Sequence, residues 1–290
     1  MTLRIDAHAH VFDAADRSPR DVGDLVPADR TATIAHYRSR LDAIDATHAV
    51  LVPLDAHDDY VAACVIAEPD RYRGVLVCGP DELGRTDADP VAALQRRLER
   101  YPASAVRTMW LGEPGSSLAD SPALPLLRHA AEAGLVLWSY LTPDQAPFLE
   151  ELPRLVPDLR VVLNHFGFTP HDMQVDADAR PWFAEGLTPE AVERVERLAA
   201  HPTMHLMYSG QYALSHGTPP YADIADVTRR LFDAYGPERS IWGSDYPWID
   251  TVPGYEAVFG LVDDTLGDLT ADERALVTGG TIARLLDIRG

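Results

Sequence analysis

The chain has 290 residues, 46% hydrophobic and 24% charged, a composition that buries a large core and excludes general disorder. Asp and Glu total 45 against 25 basic residues, and the formal net charge of -20 makes nucleic acid and anionic membrane surfaces poor partners. All 25 basic residues are arginine, which removes Schiff-base aldolases, pyridoxal enzymes, P-loop ATPases and any carbamylated-lysine bridge between two metals. A GC-rich genome or a salty habitat accounts for that bias without reference to function.

Apolar runs of strand length recur along the chain: Leu3 to Phe12, His48 to Pro53, Gly74 to Cys78, Ala105 to Leu111, Leu135 to Leu141, Leu159 to Phe166, Met204 to Ser209 and Ser240 to Asp245. They alternate little, as parallel strands covered on both faces do. Between them, Ile34-Tyr37-Leu41-Ile44, Val91-Leu94-Leu98-Tyr101, Val192-Val195-Leu198 and Ile224-Val227-Leu231 carry helical spacing. Asp89-Pro90, Ser121-Pro122, Thr142-Pro143 and Thr188-Pro189 read as helix starts, and Thr270 with Glu273 as a capping box. Gly134 and Gly236 sit where helices end in a left-handed conformation.

Eight strand-then-helix repeats without a flexible linker predict one (β/α)8 barrel, a single domain over residues 1–290. No G-x-G-x-x-G turn follows the first strand, which argues against an open dinucleotide-binding sheet. Three connections are long, 13–30, 167–187 and 211–221, and in a barrel they rise over the active-site face. Two cysteines, Cys64 and Cys78, are too few for a disulfide scaffold, no window approaches a membrane span, and the first apolar stretch contains Arg4 and Asp6. A cytoplasmic setting is expected.

On the first strand Asp6, His8 and His10 alternate with alanines, so a period of two aims all three at the barrel interior. His165 ends the sixth strand and Asp245 the eighth, where ionisable groups need partners. If barrel closure puts the first strand beside the last, three imidazoles and one carboxylate form a mononuclear site for zinc or a similar divalent ion.

Four segments, Ile5 to Phe12, Asn164-His165-Phe166-Gly167, Trp242 to Pro247 and Gly279 to Leu286, occur in an order that resembles the amidohydrolase superfamily. The likeness is to its amidohydrolase-related branch, near 2-pyrone-4,6-dicarboxylate lactonase and the sugar lactonases. The resemblance implies His8, His10, His165 and Asp245 as metal ligands, with Asp245 and His165 catalytic and Asp245 moving the proton of an attacking water. It also implies that the metal is absent from some lactonases of the branch. Two departures stand out. The fifth strand, Leu135 to Tyr140, offers no histidine where related decarboxylases supply one, and Met207 stands where a lysine often precedes Ser-Gly on the seventh strand.

Arg107 interrupts the fourth strand, where a guanidinium needs a carboxylate. That carboxylate is either on the substrate or on Asp6, as an internal ion pair. Of the other histidines, His36, His129 and His201 sit in helical stretches, His205 is placed to line the pocket, and His57, His171 and His216 lie in loops within reach of substrate. Trp182, Tyr212, Tyr246 and Trp248 are expected to bind substrate, and with Phe168, Phe183 and Tyr221 they suggest a small cyclic or aromatic molecule. Cys78 reads as a small core residue. The expected activity is hydrolysis of a lactone or similar cyclic ester. The alternatives are metal-dependent non-oxidative decarboxylation of an aromatic or unsaturated acid, and a barrel that only binds its ligand. The oligomeric state is left open.

Overall fold

Eight parallel strands run in order around one sheet in the computed structural model, which describes residues 3–289. They are β1 (Ile5–Ala9), β2 (His48–Leu51), β3 (Tyr72–Val77), β4 (Ala105–Thr108), β5 (Val136–Ser139), β6 (Arg160–Leu163) and, beyond a small separate hairpin of β7 (Gln174–Val175) and β8 (Pro181–Trp182), β9 (Met204–Tyr208) and β10 (Ser240–Trp242). The seam closes just past β10, where Asp245 N donates to His8 O at 2.9 Å and His10 N to Tyr246 O at 2.7 Å. The expected (β/α)8 barrel is the fold. All the barrel strands but β3 are shorter than their apolar runs, because the residues at their ends turn into loops.

Inside the barrel, Ile5, Ala7, Val50, Val52, Val75, Trp138, Val162, Met207 and Ile241 pack together, and Ile282, Leu285 and Leu286 of the last helical segment join them. Gly279 allows that closure: a Cβ there would stand 2.1 Å from the Leu3 carbonyl oxygen. The second, larger layer lies between sheet and helices and includes Tyr37, Leu41, Leu94, Leu127, Leu231 and Val262.

Several helix starts follow the sequence. Asp89 accepts from Val91 N and Ala92 N, Thr188 from Ala191 N, and the Thr270–Glu273 capping box is complete. Gly134 and Gly236 both take a positive φ. Two starts differ. The helix after Ser121-Pro122 begins only at Leu124, because Ser121 Oγ caps Ala123 N and is drawn to the Leu111 carbonyl. Thr142 bonds Asp144 in a turn, and a 3-10 segment follows at Ala146–Glu150.

The first strand also departs from simple alternation. Asp6 pairs with Ala49 but Ala9 with Leu51, so β1 spends three steps where β2 spends two. One extra residue bulges out, and Asp6 faces the helical layer while His8 faces the interior. The carboxylate of Asp6 accepts from Ser244 N at 2.8 Å, Ser244 Oγ at 2.6 Å, and the hydroxyls of Tyr37 and Tyr255, each at 2.7 Å. An ion pair between Asp6 and Arg107 is therefore ruled out, since they lie on opposite faces of the sheet.

Removing that acceptor strands several buried donors at once. Asp6→Ala is expected to destabilise the protein by about 3 kcal/mol or more, read from urea unfolding. A loss below about 1 kcal/mol would show that the donors find other partners.

Candidate active site

The bulge in β1 brings His8 and His10 to the same end of the barrel, with their Nε2 atoms 3.2 Å apart. Asp245 reaches them from across the seam. Its Oδ1 lies 3.6 Å from both Nε2 atoms, and its Oδ2 lies 3.9 Å from His165 Nε2. All four side chains are buried. Asp245 takes φ 63° and His165 φ 48°, left-handed conformations that cost about 1–3 kcal/mol in a residue with a side chain and persist where surroundings impose them. Here the surroundings are the seam bonds around Asp245 and the close packing of Gly210 against the His165 ring.

Hydrogen bonds orient each member. Trp138 Nε1 donates to His8 Nδ1 at 3.0 Å, His10 Nδ1 donates to the Val52 carbonyl at 2.8 Å, and His165 Nδ1 lies 2.7 Å from Ser209 Oγ. Tyr212 donates to Asp245 Oδ2 at 2.7 Å, whereas Asp245 Oδ1 is buried without a partner. Burial holds the His8 imidazole well below its ordinary pKa, aided by the neighbouring His10 and His165. Burial likewise holds His165 at about 4. Burial works against ionisation of Asp245, but the imidazoles of His165, His10 and His8 outweigh it, and the carboxyl lies below the usual carboxylate range. At neutral pH the centre thus holds an ionised Asp245 beside the neutral imidazoles of His8 and His165.

Arg107 enters the same space from β4. Its guanidinium stacks on the Tyr140 ring at 4.2 Å, and among the described residues no carboxylate lies within ion-pair distance of it. Burial lowers its pKa, opposed by Tyr140 and Asp245, which leaves a desolvated cation facing the cavity.

The cavity has an empty volume of about 610 Å³ with its mouth included. His10, His165, Asp245, Arg107, Tyr212 and Trp248 line it, with Phe168, Phe183 and Leu214 forming apolar walls. The structure does not bring Tyr246 or Trp182 into this cavity. Tyr246 packs on Tyr37 and shares a hydrogen bond with His36, and Trp182 lines a neighbouring cleft with Arg180 and His216. His205 bonds the Thr203 carbonyl at the opposite end of its strand. His57 pairs with Asp55 on the surface and His171 with the Thr169 carbonyl. Cys78 is buried and its thiol pKa is pushed up by burial.

Two imidazoles and a carboxylate whose ligating atoms lie within 4.8 Å of one another, with one carboxylate oxygen orphaned, are a donor set of the kind that holds a divalent cation. A family model described as amidohydrolase matches residues 5–288. The chain belongs to the amidohydrolase family. It is 27% identical to the L-fucono-1,5-lactonase of Burkholderia ambifaria, over 97% of this chain and 94% of that protein. Among solved structures, a putative 2-pyrone-4,6-dicarboxylic acid hydrolase from Pseudomonas putida superposes with TM-score 0.72 at 22% identity, covering 100% of this chain and 99% of that one. An amidohydrolase from Burkholderia multivorans with bound zinc superposes at 0.76 and 21% identity, covering 99% of this chain and 100% of that one. These two likenesses show the shared fold.

Trp138 and Tyr140 of this amidohydrolase were not legible as site residues from the sequence. The available signal was the type of residue: an indole N–H on a strand buried on both faces needs an acceptor, and only a polar group at the barrel centre can supply one.

The depressed pKa of His165 has a measurable consequence. The unfolded chain takes up its proton near pH 6.5 and the folded chain only near 4, so the unfolded state binds more protons in between. Stability should fall as pH drops from about 6.5 to about 4, with ~3 kcal/mol of that loss belonging to His165. Urea unfolding at pH 7 and pH 4 checks this. In His165→Asn the loss should shrink by that amount, and an unchanged difference would refute it.

Proposed function

We infer that this amidohydrolase opens a lactone, or a similar cyclic ester, by water attack with Asp245 as general base. The observation that carries this reading is Asp245 Oδ1: a buried, ionised carboxylate oxygen with no hydrogen-bond partner among the described residues, at the wall of the cavity. Tyr212 holds the other oxygen, so the free one has a fixed direction. It takes one proton from water as the hydroxyl oxygen bonds to the ester carbonyl carbon. The ring C–O bond then breaks, and the released ring oxygen receives the proton, giving a hydroxy acid.

Arg107 faces the negative charge that grows on the carbonyl oxygen or meets a carboxylate of the substrate, and its burial strengthens either contact. Phe168, Phe183, Leu214 and Trp248 favour a substrate with an apolar or planar ring, and together with the single unpaired cation they suit at most one anionic group. A divalent cation such as zinc, held by His8, His10, His165 and Asp245, would add Lewis-acid chemistry when bound. The likeness to the L-fucono-1,5-lactonase along nearly the whole chain supports ester-ring opening. We place the reaction in a reducing compartment such as the cytoplasm, a reading supported by the two free cysteines.

A panel of sugar and unsaturated lactones, followed by acid release, tests the activity. Asp245→Asn should lose about 10²- to 10⁴-fold in kcat on any lactone that the wild type opens. Equal rates would eliminate Asp245 as the base, and carbon dioxide release from aromatic acids without lactone opening would replace the reading by decarboxylation. Arg107→Met should lower kcat/KM by about 10- to 100-fold, the value of a charge-assisted contact of about 1.5–3 kcal/mol, while leaving the urea midpoint within error or raising it. Unchanged kcat/KM with reduced stability would assign Arg107 a structural role instead.

A further inference from the structure

The hydrogen bonds around His8 and His10 form a chain whose two ends have only one chemical sense. An indole N–H can only donate and a carbonyl can only accept. Trp138 Nε1 lies 3.0 Å from His8 Nδ1, so that nitrogen presents its lone pair. His10 Nδ1 lies 2.8 Å from the Val52 carbonyl oxygen, so that nitrogen presents its proton. A neutral imidazole carries one proton, and the proton of His8 is therefore on Nε2. His10 Nε2 is bare and 3.2 Å away, and His8 Nε2–H donates to it.

The chain runs from Trp138 through His8 and His10 to Val52 with every nitrogen satisfied. This is the reverse of what a cation asks of His8. Metal-bound histidines present a lone pair at one nitrogen and donate the other N–H outward to a carbonyl, carboxylate or water. His10 obeys that rule through Val52. His8 meets a donor instead, so a lone pair at its Nε2 requires a proton at Nδ1, pointed at the N–H of a fully buried indole.

We propose that Trp138 sets the tautomer of His8 and thereby holds the two-histidine motif as a closed hydrogen-bonded pair that binds divalent metal weakly. Trp138 is a positioning residue, since it acts through His8. For a cation to be held by both imidazoles, the His8 proton must move to Nδ1 or leave to solvent, and the indole must give up its acceptor in a fully buried place. The proposal rests on the reading of His8, His10 and Asp245 as one site, and its consequence for the reaction is that Asp245 activates water whether or not a metal is supplied.

The test uses the full chain and zinc ion alone. Nitrogen-15 NMR of the imidazoles in chelator-treated wild type should show His8 protonated at Nε2 and His10 at Nδ1. Zinc titration by calorimetry should give a Kd at least tenfold lower for Trp138→Phe than for wild type, which is about 1.4 kcal/mol. Trp138→Gln, whose side-chain oxygen can accept from Nδ1–H, should bind more tightly still. His8 protonated at Nδ1 in the metal-free wild type would overturn the proposal, and that measurement needs no variant to fold. Equal zinc affinity in folded Trp138→Phe would overturn it as well. Both readouts are made without substrate, so a chain that opens no lactone leaves this result standing, and a lactonase with an unbiased His8 fails only here.

Discussion

Closure of the barrel between β1 and β10 is the constraint on which the site depends. Two backbone bonds cross the seam, from Asp245 N to His8 O and from His10 N to Tyr246 O, and they hold the carboxylate beside the imidazoles. The strands can approach that closely because residue 243 is glycine: a Cβ there would stand 2.9 Å from the Cβ of His8. On the outer side of the same seam, Asp6 gathers Ser244 and two tyrosine hydroxyls from helices on either side. One carboxylate therefore locks the joint while a second, one residue beyond Ser244, faces the cavity.

The bulge in β1 is what divides these roles. A regular strand would send Asp6, His8 and His10 to one face, where an acidic group with no outward partners would compete with Asp245 for the same imidazoles. The extra residue turns Asp6 to the helical layer, where it is buried and accepts hydrogen bonds from Ser244, Tyr37 and Tyr255 that make it structural. It leaves Asp245 as the one carboxylate in contact with His8, His10 and His165. The electrostatics of the centre follow from that division: a lone negative charge, the neutral imidazoles of His8 and His165, and Arg107 with no carboxylate partner among the described residues.

How much of this the sequence revealed depends on which forces write a local signal. The eight strands were legible because each is an apolar run ended by residues that dislike burial, and His8, His10, His165 and Asp245 were legible because they are those ends. The direction of Asp6 was not, since a bulge is a property of pairing between β1 and β2 and leaves no mark on β1 alone. Tyr246 adjoins Asp245 in the chain, but the left-handed turn at Asp245 sends its neighbour to the helical layer, so adjacency misleads there. Arg107 carried two sequence readings, and only the strand faces removed one of them, the ion pair with Asp6. Trp138 was silent for another reason: a tryptophan on a buried strand looks like core, and the chemistry lies in which atom of a distant histidine it meets.

The absence of lysine, a compositional oddity in the sequence, acquires a structural sense in the loops over the barrel mouth. Arg20 donates to the carbonyls of Ser18, Pro27 and Arg30 at once, and Arg30 to those of Leu25 and Ala179. Arg180 bonds Asp176 and the Val252 carbonyl. Arg20 pins its own loop, while Arg30 and Arg180 tie segments far apart in sequence, which a planar fork of five donors can do and a single ammonium point charge does poorly. Two of these arginines also stack on cavity aromatics, Arg30 over Trp248 at 4.9 Å and Arg180 over Tyr212 at 5.5 Å. Tyr212 in turn holds Asp245. Arg180 is thus coupled to the proposed base through one ring, so an arginine that orders the mouth also helps to fix the direction of the Asp245 carboxylate.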